Sequence, residues 1–427
     1  MQGSLNAYHQ LKSTTLYQRK KWMESAAKVL DKLQGEYGQM ITKEMGKPLK
    51  ESMAEVEKCA WVCRYYAERA EEFLSDEIIQ TDATKSMISY NSIGPVLAVM
   101  PWNFPFWQVF RFAAPALMLG NTGILKHASN VPQCALAIEE IFEAAGFPKG
   151  AFTTLLVGSD RVESLIKNPI VKGVTLTGSE PAGKAVAAIA GEQLKKTVLE
   201  LGGSDPYVIL HDADLDTTVP ICVSARMLNT GQSCIAGKRF IVHRSIYDDF
   251  IKRFMVALKE YKFGNPLETS TTLAPMASTR LRGELHEQVQ KSIKQGAEAI
   301  LGGTIPSTTG AFYPPTILIN VGPENIAYTD EFFGPVAIVI KADSEEEAIN
   351  IANATSFGLG AAIFSKNVKK AEKIARTKLE AGCCFVNAQV KSDPRLPFGG
   401  IKNSGYGREL GKIGIHEFAN VKTVYVK

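Results

Sequence analysis

Val96-Leu97-Ala98-Val99-Met100-Pro101-Trp102-Asn103-Phe104-Pro105 joins a wholly apolar run to a turn rich in proline and aromatic residues. A short run that is apolar at every position reads as a buried strand. Downstream, Phe106 to Leu119 has helical spacing and carries Arg111, and Thr122 to Lys126 is another short strand. Val131 to Ala145 predicts a helix closed by Gly146, Phe152 to Val157 a strand, Arg161 to Lys167 a helix, and Gly173 to Thr177 a strand. Upstream, Met87 to Ser92 reads as a strand as well. This alternation, with short glycine-bearing connections, predicts an α/β fold on a doubly wound parallel sheet, where ligands bind beyond the carboxyl ends of the strands. Thr177-Gly178-Ser179-Glu180-Pro181-Ala182-Gly183 lies at one such end and opens a helix whose free N–H groups suit a phosphate. Its spacing is Gly-x4-Gly rather than Gly-x-Gly-x-x-Gly, so a phosphate site and a plain strand-to-helix turn both stand.

Around this core, Gln18 to Tyr37 and Ile41 to Phe73 predict amphipathic surface helices joined near Gly38 and Gly46. Cys59 and Cys63 lie a helical turn apart, but no further Cys or His is near, so core packing outweighs a metal site. Beyond Arg239 a second α/β pattern runs to about Ile401, with helices expected at Ser245 to Tyr261, Thr279 to Gln295 and Glu345 to Ala354. Ala419 to Lys427 alternates as a strand does and must pair with an edge, a neighbouring subunit being a common one.

With 427 residues the chain exceeds one simple core. It is 45% apolar and 22% charged, and its formal charge of +4 gives no reason to propose nucleic acid or membrane as partner. The long apolar region Ile93 to Leu119 is broken by prolines, Asn103 and Arg111, which argues against a membrane span. Seven cysteines in such a length are no disulfide framework, and no signal-like segment opens the chain, so a cytoplasmic, reducing compartment is expected.

One cysteine differs from the rest. Cys234 lies in Asn229-Thr230-Gly231-Gln232-Ser233-Cys234-Ile235-Ala236-Gly237-Lys238-Arg239, among small and polar residues, and looks presented rather than packed. Cys383 and Cys384, in an apolar run, read as structural.

Pro101-Trp102-Asn103-Phe104-Pro105, Lys126, Thr177-Gly178-Ser179, Glu200-Leu201-Gly202-Gly203, Gly231-Gln232-Ser233-Cys234 and Glu331-Phe332-Phe333-Gly334-Pro335 occur in one order at domain-scale spacing. Together with Pro397 to Glu409 they resemble the aldehyde dehydrogenase superfamily over nearly the whole chain. The resemblance implies a Rossmann-like cofactor-binding domain (residues 1–73 and 93–201, with 404–418), an α/β catalytic domain (202–403) and a small β oligomerisation element (74–92 and 419–427), assembled as a homodimer or homotetramer. It implies that Cys234 attacks an aldehyde, that the Asn103 amide and the Cys234 N–H hold the oxyanion, and that Glu200 activates water and deprotonates the thiol. By the same likeness Gly178 and Ser179 meet a pyrophosphate, Gly158 lines the adenosine side, and Trp102 and Phe333 flank a nicotinamide. Leu201 belongs to the same cleft, Glu331 binds the nicotinamide ribose and Lys126 the adenosine ribose. Ser129, three residues after Lys126, stands where NAD-restricted relatives carry Glu, so NADP is expected to be preferred, with NAD also accepted. His127 is expected to be a packing or phosphate-side residue. No metal is implied.

Within the superfamily the likeness is to bacterial succinate-semialdehyde dehydrogenases, carried by Lys126 to Pro132, Ser233 to Ala236 with Lys238-Arg239, and Lys391 to Phe398. Arg111 matches a carboxylate-binding position, with an interdomain salt bridge as its other reading, and Ser392 is the hydrogen-bonding partner expected there. Three departures stand out. Leu228 replaces a second arginine of some relatives, which admits glutarate semialdehyde or a broader aldehyde range. Ala236 replaces a regulatory cysteine. The N-terminal wrapping segment of relatives is missing ahead of the first helical region, and reduced stability or assembly is expected relative to a fuller chain. A non-catalytic nucleotide-binding protein on the same fold is the competing reading from another class.

Overall fold

The computed structural model describes residues 1–427. Strand Pro95–Met100 lies at the centre of a six-stranded sheet, flanked by Thr122–His127 and then Phe152–Thr154 on one side, and by Gly173–Thr177 and then Lys196–Glu200 on the other. These strands are all parallel, and the short Gly405–Tyr406 closes the far edge antiparallel to Lys196–Glu200. Registration puts Met100 opposite His127 and Thr177 opposite Glu200, so the strands end in one row. The turns that follow, at Pro101–Asn103, Ser129, Gly178 and Leu201, are thereby brought to a single edge.

Helix Trp107–Leu119 is buried at every position and packs behind this sheet. Phe106, Phe110, Phe142 and Phe152 stack in succession there, with ring centroids 5.1–6.2 Å apart. Each such side chain contributes roughly 1.5–3 kcal/mol of burial free energy, which makes the floor of the site rigid. The N-terminal region is four helices, Gln2–Lys12, Leu16–Lys32, Gln34–Met45 and Leu49–Phe73. Gly46, at φ +88°, ends the third as expected. Gly38 does not join helices but lies inside Gln34–Met45, where an added Cβ would sit 2.7 Å from the Met53 side chain. Its smallness serves a close helix crossing rather than a turn. Cys59 and Cys63 are fully buried in the apolar core.

The expected strand from Phe152 stops at Thr154, because after Leu155 the chain leaves the sheet for a short turn of helix at Ser159–Arg161. Helices Tyr247–Lys259, Thr279–Lys294 and Glu345–Asn353 match their sequence readings to within about a turn. They cover a second, seven-stranded sheet in the order Glu298–Leu301, Thr316–Ile319, Val336–Ala342, Arg239–His243, Pro206–Ile209, Gly360–Phe364 and Cys383–Val386. Only Glu298–Leu301 runs antiparallel. The C-terminal strand Ala419–Val426 finds its edge within the chain, pairing antiparallel with Lys85–Ser92 along its whole length. No helix is long and apolar enough to cross a membrane.

Candidate active site

Helix Leu215–Met227 ends just ahead of the Cys234 loop, and Asn229 and Thr230 both turn left-handed at φ 54°. Such backbone is costly for residues with a Cβ and persists only where surroundings hold it. Here the Asn229 side chain donates to the carbonyls of Asn103 (2.8 Å) and Gln232 (3.1 Å), and Thr230 Oγ1 donates to Ala274 O (3.1 Å). The buried Arg226 guanidinium donates to Gly231 O at 2.6 Å. On the other side of the loop the buried Lys238 Nζ donates to Ser233 O (2.7 Å) and to Cys234 O. With its carbonyl turned to Lys238, the Cys234 N–H has no acceptor in the protein. The Asn103 amide is oriented at both ends: Oδ1 accepts from Gln108 Nε2 at 3.0 Å, and Nδ2 donates one hydrogen to Gln232 O at 3.1 Å. Two N–H donors are thus left over near the sulfur, a requirement for holding an oxyanion.

Cys234 forms part of the wall of two cavities, one of about 210 Å³ and one of about 270 Å³. The second is lined by Trp102, Asn103, Gly178, Ser179, Leu201, Glu331 and Phe333. Trp102 and Phe333 meet edge to face at 6.0 Å. Glu331 Oε1 accepts from Gly203 N (3.2 Å) and pairs with Lys238 Nζ (3.1 Å). Helix Glu180–Glu192 begins at this cavity, and Ser179 caps it without any side-chain hydrogen bond, so its first amides remain free for an anion. An aromatic-edged cleft ending at an uncapped helix N-terminus fits a dinucleotide.

Lys126, Ser129 and Gly158 lie farther along the same row of strand ends and do not line this cavity. Lys126 is buried with Nζ donating to His127 O (2.9 Å), while Ser129 and Gly158 are exposed. The His127 ring is buried against the carbonyls of Met100 and Pro105, and burial pulls its pKa down to about 4.

The sequence matches the Aldehyde dehydrogenase family over residues 1–424. The chain belongs to that family. It is 53% identical over 409 residues to a Synechocystis protein named probable succinate-semialdehyde dehydrogenase [NADP(+)], covering 96% of this chain and 90% of the relative. A Mycobacterium avium succinate-semialdehyde dehydrogenase [NADP(+)] is 49% identical over 417 residues, covering 97% of this chain and 88% of the relative. A crystal structure of succinic semialdehyde dehydrogenase from Streptococcus pyogenes in complex with NADP+ superposes with a TM-score of 0.97 at 40% identity, over 99% of this chain and 93% of that one.

In this aldehyde dehydrogenase the other cavity at Cys234 carries most of the charge. Arg111, Leu228, Ser392, Lys58, Glu51, Glu55 and Trp107 all line it. Arg111 is buried and already paired with Glu409 through Nε, with Nη2 donating to Thr177 Oγ1 (3.3 Å) and its guanidinium 4.7 Å from the Phe398 ring centroid. Arg111 thus makes a salt bridge, but with a residue of the same expected domain rather than an interdomain one, and it still reaches the cavity wall. Ser392 Oγ accepts from Lys58 Nζ (2.8 Å) and from Trp107 Nε1 (3.0 Å).

Glu200 ends strand Lys196–Glu200 but lines neither of these two cavities, so the structure does not bring it to Cys234 in this conformation. Its carboxylate oxygens are buried without a partner, facing Gly399, where an added Cβ would sit 2.7 Å from Oε1. Burial, and then the neighbouring Glu409, hold the Glu200 pKa well above the usual carboxylate range. Burial raises Glu409 as well, but Arg111 beside it opposes that shift, so of this buried pair Glu200 is the one held more strongly toward its protonated form. Burial also pushes the Cys234 thiol up to about 12, against the opposing pull of Lys238 and Arg111. Burial thus disfavours the charged form of both reacting groups. Cys383 and Cys384 are also raised by burial, each to about 11, and neither lines the two cavities at Cys234.

The sequence alone assigned no role to Lys58, Lys238, Gln108 or Glu409. A signal existed for Lys58, because Glu51, Glu55 and Lys58 recur at helical spacing alongside the buried Ser52, Val56 and Cys59. Charges beside the apolar stripe of a helix mark something other than a solvated face.

Proposed function

We propose that this chain oxidises succinate semialdehyde to succinate with NADP as the preferred cofactor and NAD as a weaker one. The observation that carries this reading is the Cys234 sulfur standing between a dinucleotide-shaped cleft and a cavity that holds cationic and hydroxyl groups. The names of the Synechocystis and Mycobacterium avium relatives support the same substrate and cofactor.

In this reading Cys234 loses its proton and attacks the aldehyde carbon, and the Asn103 amide and the Cys234 N–H receive the developing oxyanion. The chemistry NADP supplies there is acceptance of the aldehyde's hydride. A thioester on Cys234 remains, and water hydrolyses it with Glu200 as base, once that carboxyl has swung from its buried position and ionised. Gly178 and Ser179 hold the pyrophosphate at the helix start, Trp102, Leu201 and Phe333 enclose the nicotinamide end, and Glu331 takes its ribose. Lys126, Ser129 and Gly158 serve the adenosine end, where the small exposed Ser129 leaves space for a 2′-phosphate. Arg111 and Ser392 face the substrate carboxylate. The six-stranded sheet supports a cofactor-binding domain (1–73, 93–201 and 404–418), and the seven-stranded sheet a catalytic one (202–403).

The free edge of strand Ala419–Val426, with Val421 and Tyr425 exposed on one face and Val426 on the other, supports assembly into a homodimer or homotetramer through residues 74–92 and 419–427. All seven cysteines are free, which supports a reducing, cytoplasmic setting.

The test is a rate panel of succinate semialdehyde, glutarate semialdehyde and propanal with NADP and NAD, with Cys234→Ala as control. Succinate semialdehyde with NADP is expected to give the highest kcat/KM. A kcat/KM with NAD tenfold above that with NADP would overturn the cofactor assignment. Bound nucleotide without turnover of any aldehyde would favour a binding protein. Leu228 in the cavity wall favours one second reading, glutarate semialdehyde, and the same panel decides it.

A further inference from the structure

The cavity lined by Arg111 and Ser392 has an uneven balance of charge. Arg111 gives Nε to Glu409 and Nη2 to Thr177, and is thus partly engaged. Glu55 is spent on Lys47 and on the backbone N–H groups of Phe106 (2.8 Å) and Trp107 (3.0 Å). Glu51 accepts from Asn229 N at 2.7 Å, and burial raises its pKa. Asp393, next to Ser392, is chelated by Arg395. Lys391 also lines the cavity but is exposed. Lys58 is different, because it points into the cavity and no carboxylate lies within ion-pair distance of it.

Its one polar contact is informative. Ser392 Oγ receives hydrogens from both Lys58 Nζ and Trp107 Nε1, so the lone pairs of the hydroxyl are used and its own hydrogen is left to donate. The Lys58 ammonium also lies 4.2 Å from the Trp107 ring centroid, which fixes the long side chain across the cavity. An ammonium and a committed O–H donor, side by side in a cavity whose wall also includes Cys234, suit an anionic acceptor.

We infer that Lys58, on helix Leu49–Phe73, is a second cation for the substrate's carboxylate, acting with the Ser392 hydroxyl beside an Arg111 that is partly engaged by Glu409. This rests on the semialdehyde reading above and assigns part of its specificity to a helix that carries none of the family-like motifs. Lys58 takes on the role at the cavity where Leu228 supplies no charge.

The environment of Lys58 adds a pH signature. Burial, and then Arg111, lower its pKa to about 8, with Cys59, Glu55 and Asp393 pulling the other way. Above that pH the ammonium deprotonates and the carboxylate loses this partner, while an uncharged aldehyde loses nothing there. Titration of Cys234 affects both substrates and cancels in their ratio.

The experiment measures kcat/KM for succinate semialdehyde and for butanal with NADP, between pH 7 and 9.5, in the wild type, Lys58→Met and Lys58→Arg. The expected result is at least a tenfold fall in the succinate semialdehyde to butanal ratio in Lys58→Met, carried by KM, with most of it restored in Lys58→Arg. The wild-type ratio is expected to fall above about pH 8 and the Lys58→Met ratio to stay flat. Inhibition of wild-type butanal oxidation by succinate supplies a readout independent of any variant's folding, and its Ki is expected to rise over the same pH range. A Lys58→Met ratio within twofold of wild type, or a pH-independent succinate Ki, would overturn the assignment while leaving the substrate reading intact. Wild-type enzyme that oxidises butanal but not succinate semialdehyde would overturn both.

Discussion

On the cofactor side of Cys234, most of the wall comes from turns that directly follow adjacent parallel strands, at Trp102, Gly178 and Leu201. Each is placed by the register of the strand before it, so position along the sequence nearly determines position in space. On the substrate side the wall comes from helix Leu49–Phe73, helix Trp107–Leu119, the end of helix Leu215–Met227 and the segment Gln389–Ser392, which are far apart in sequence. Its polar groups are half-consumed by one another, as Arg111 is by Glu409 and Glu55 by Lys47. The lesson is that a backbone-built binding site can be read as motifs, whereas a side-chain-built one must be read as a balance of charges.

The sharpest test of that contrast lies on the substrate side. Glu409→Gln leaves the buried Arg111 without its carboxylate, and breaking such a pair typically costs roughly 3–5 kcal/mol. A lower midpoint of thermal unfolding is expected, together with a shift in the catalytic pH profile. Glu409 helps to raise the Glu200 pKa, so its removal lets Glu200 ionise at lower pH. The acidic limb of thioester hydrolysis, followed by single-turnover kinetics, should move to lower pH. An unmoved limb would show that the two carboxyls do not share one charge.

Where the two sides meet, Asn103→Ala should lower kcat about 10²–10³-fold, the usual loss for one oxyanion donor. NADP binding, measured by fluorescence, is expected to change far less. A loss confined to KM would show that Asn103 only positions the loop through Asn229 and Gln232. The sulfur at the junction gives the next largest signal. With the thiol pKa pushed up to about 12, the thiolate fraction of the free enzyme grows about tenfold per pH unit. Alkylation by iodoacetamide should therefore accelerate about a hundredfold from pH 7 to 9, and a plateau below pH 8 would contradict the resting state described above. The smallest change is expected on the cofactor side. Ser129→Glu places a carboxylate at an exposed site, where screening is strong, and should lower the NADP to NAD ratio of kcat/KM about tenfold. No change would mean that Ser129 does not meet the 2′-phosphate.

The sequence by itself determined the parallel sheet around Val96, the family and many of the residues that line the cavity at the strand ends beside Cys234. Apolar runs, helical spacing and turn residues are local signals, and parallel strands convert local order into a common edge. It did not determine that Gly38 serves a helix crossing, because the approach of Met53 is a contact between helices. Only the tertiary structure decided that Arg111 pairs with Glu409, that Lys58 has no carboxylate within ion-pair distance and that Glu200 is buried outside both cavities with its pKa raised. Those are properties of which charges are buried beside which, and burial strengthens such interactions between residues that the sequence places hundreds of positions apart.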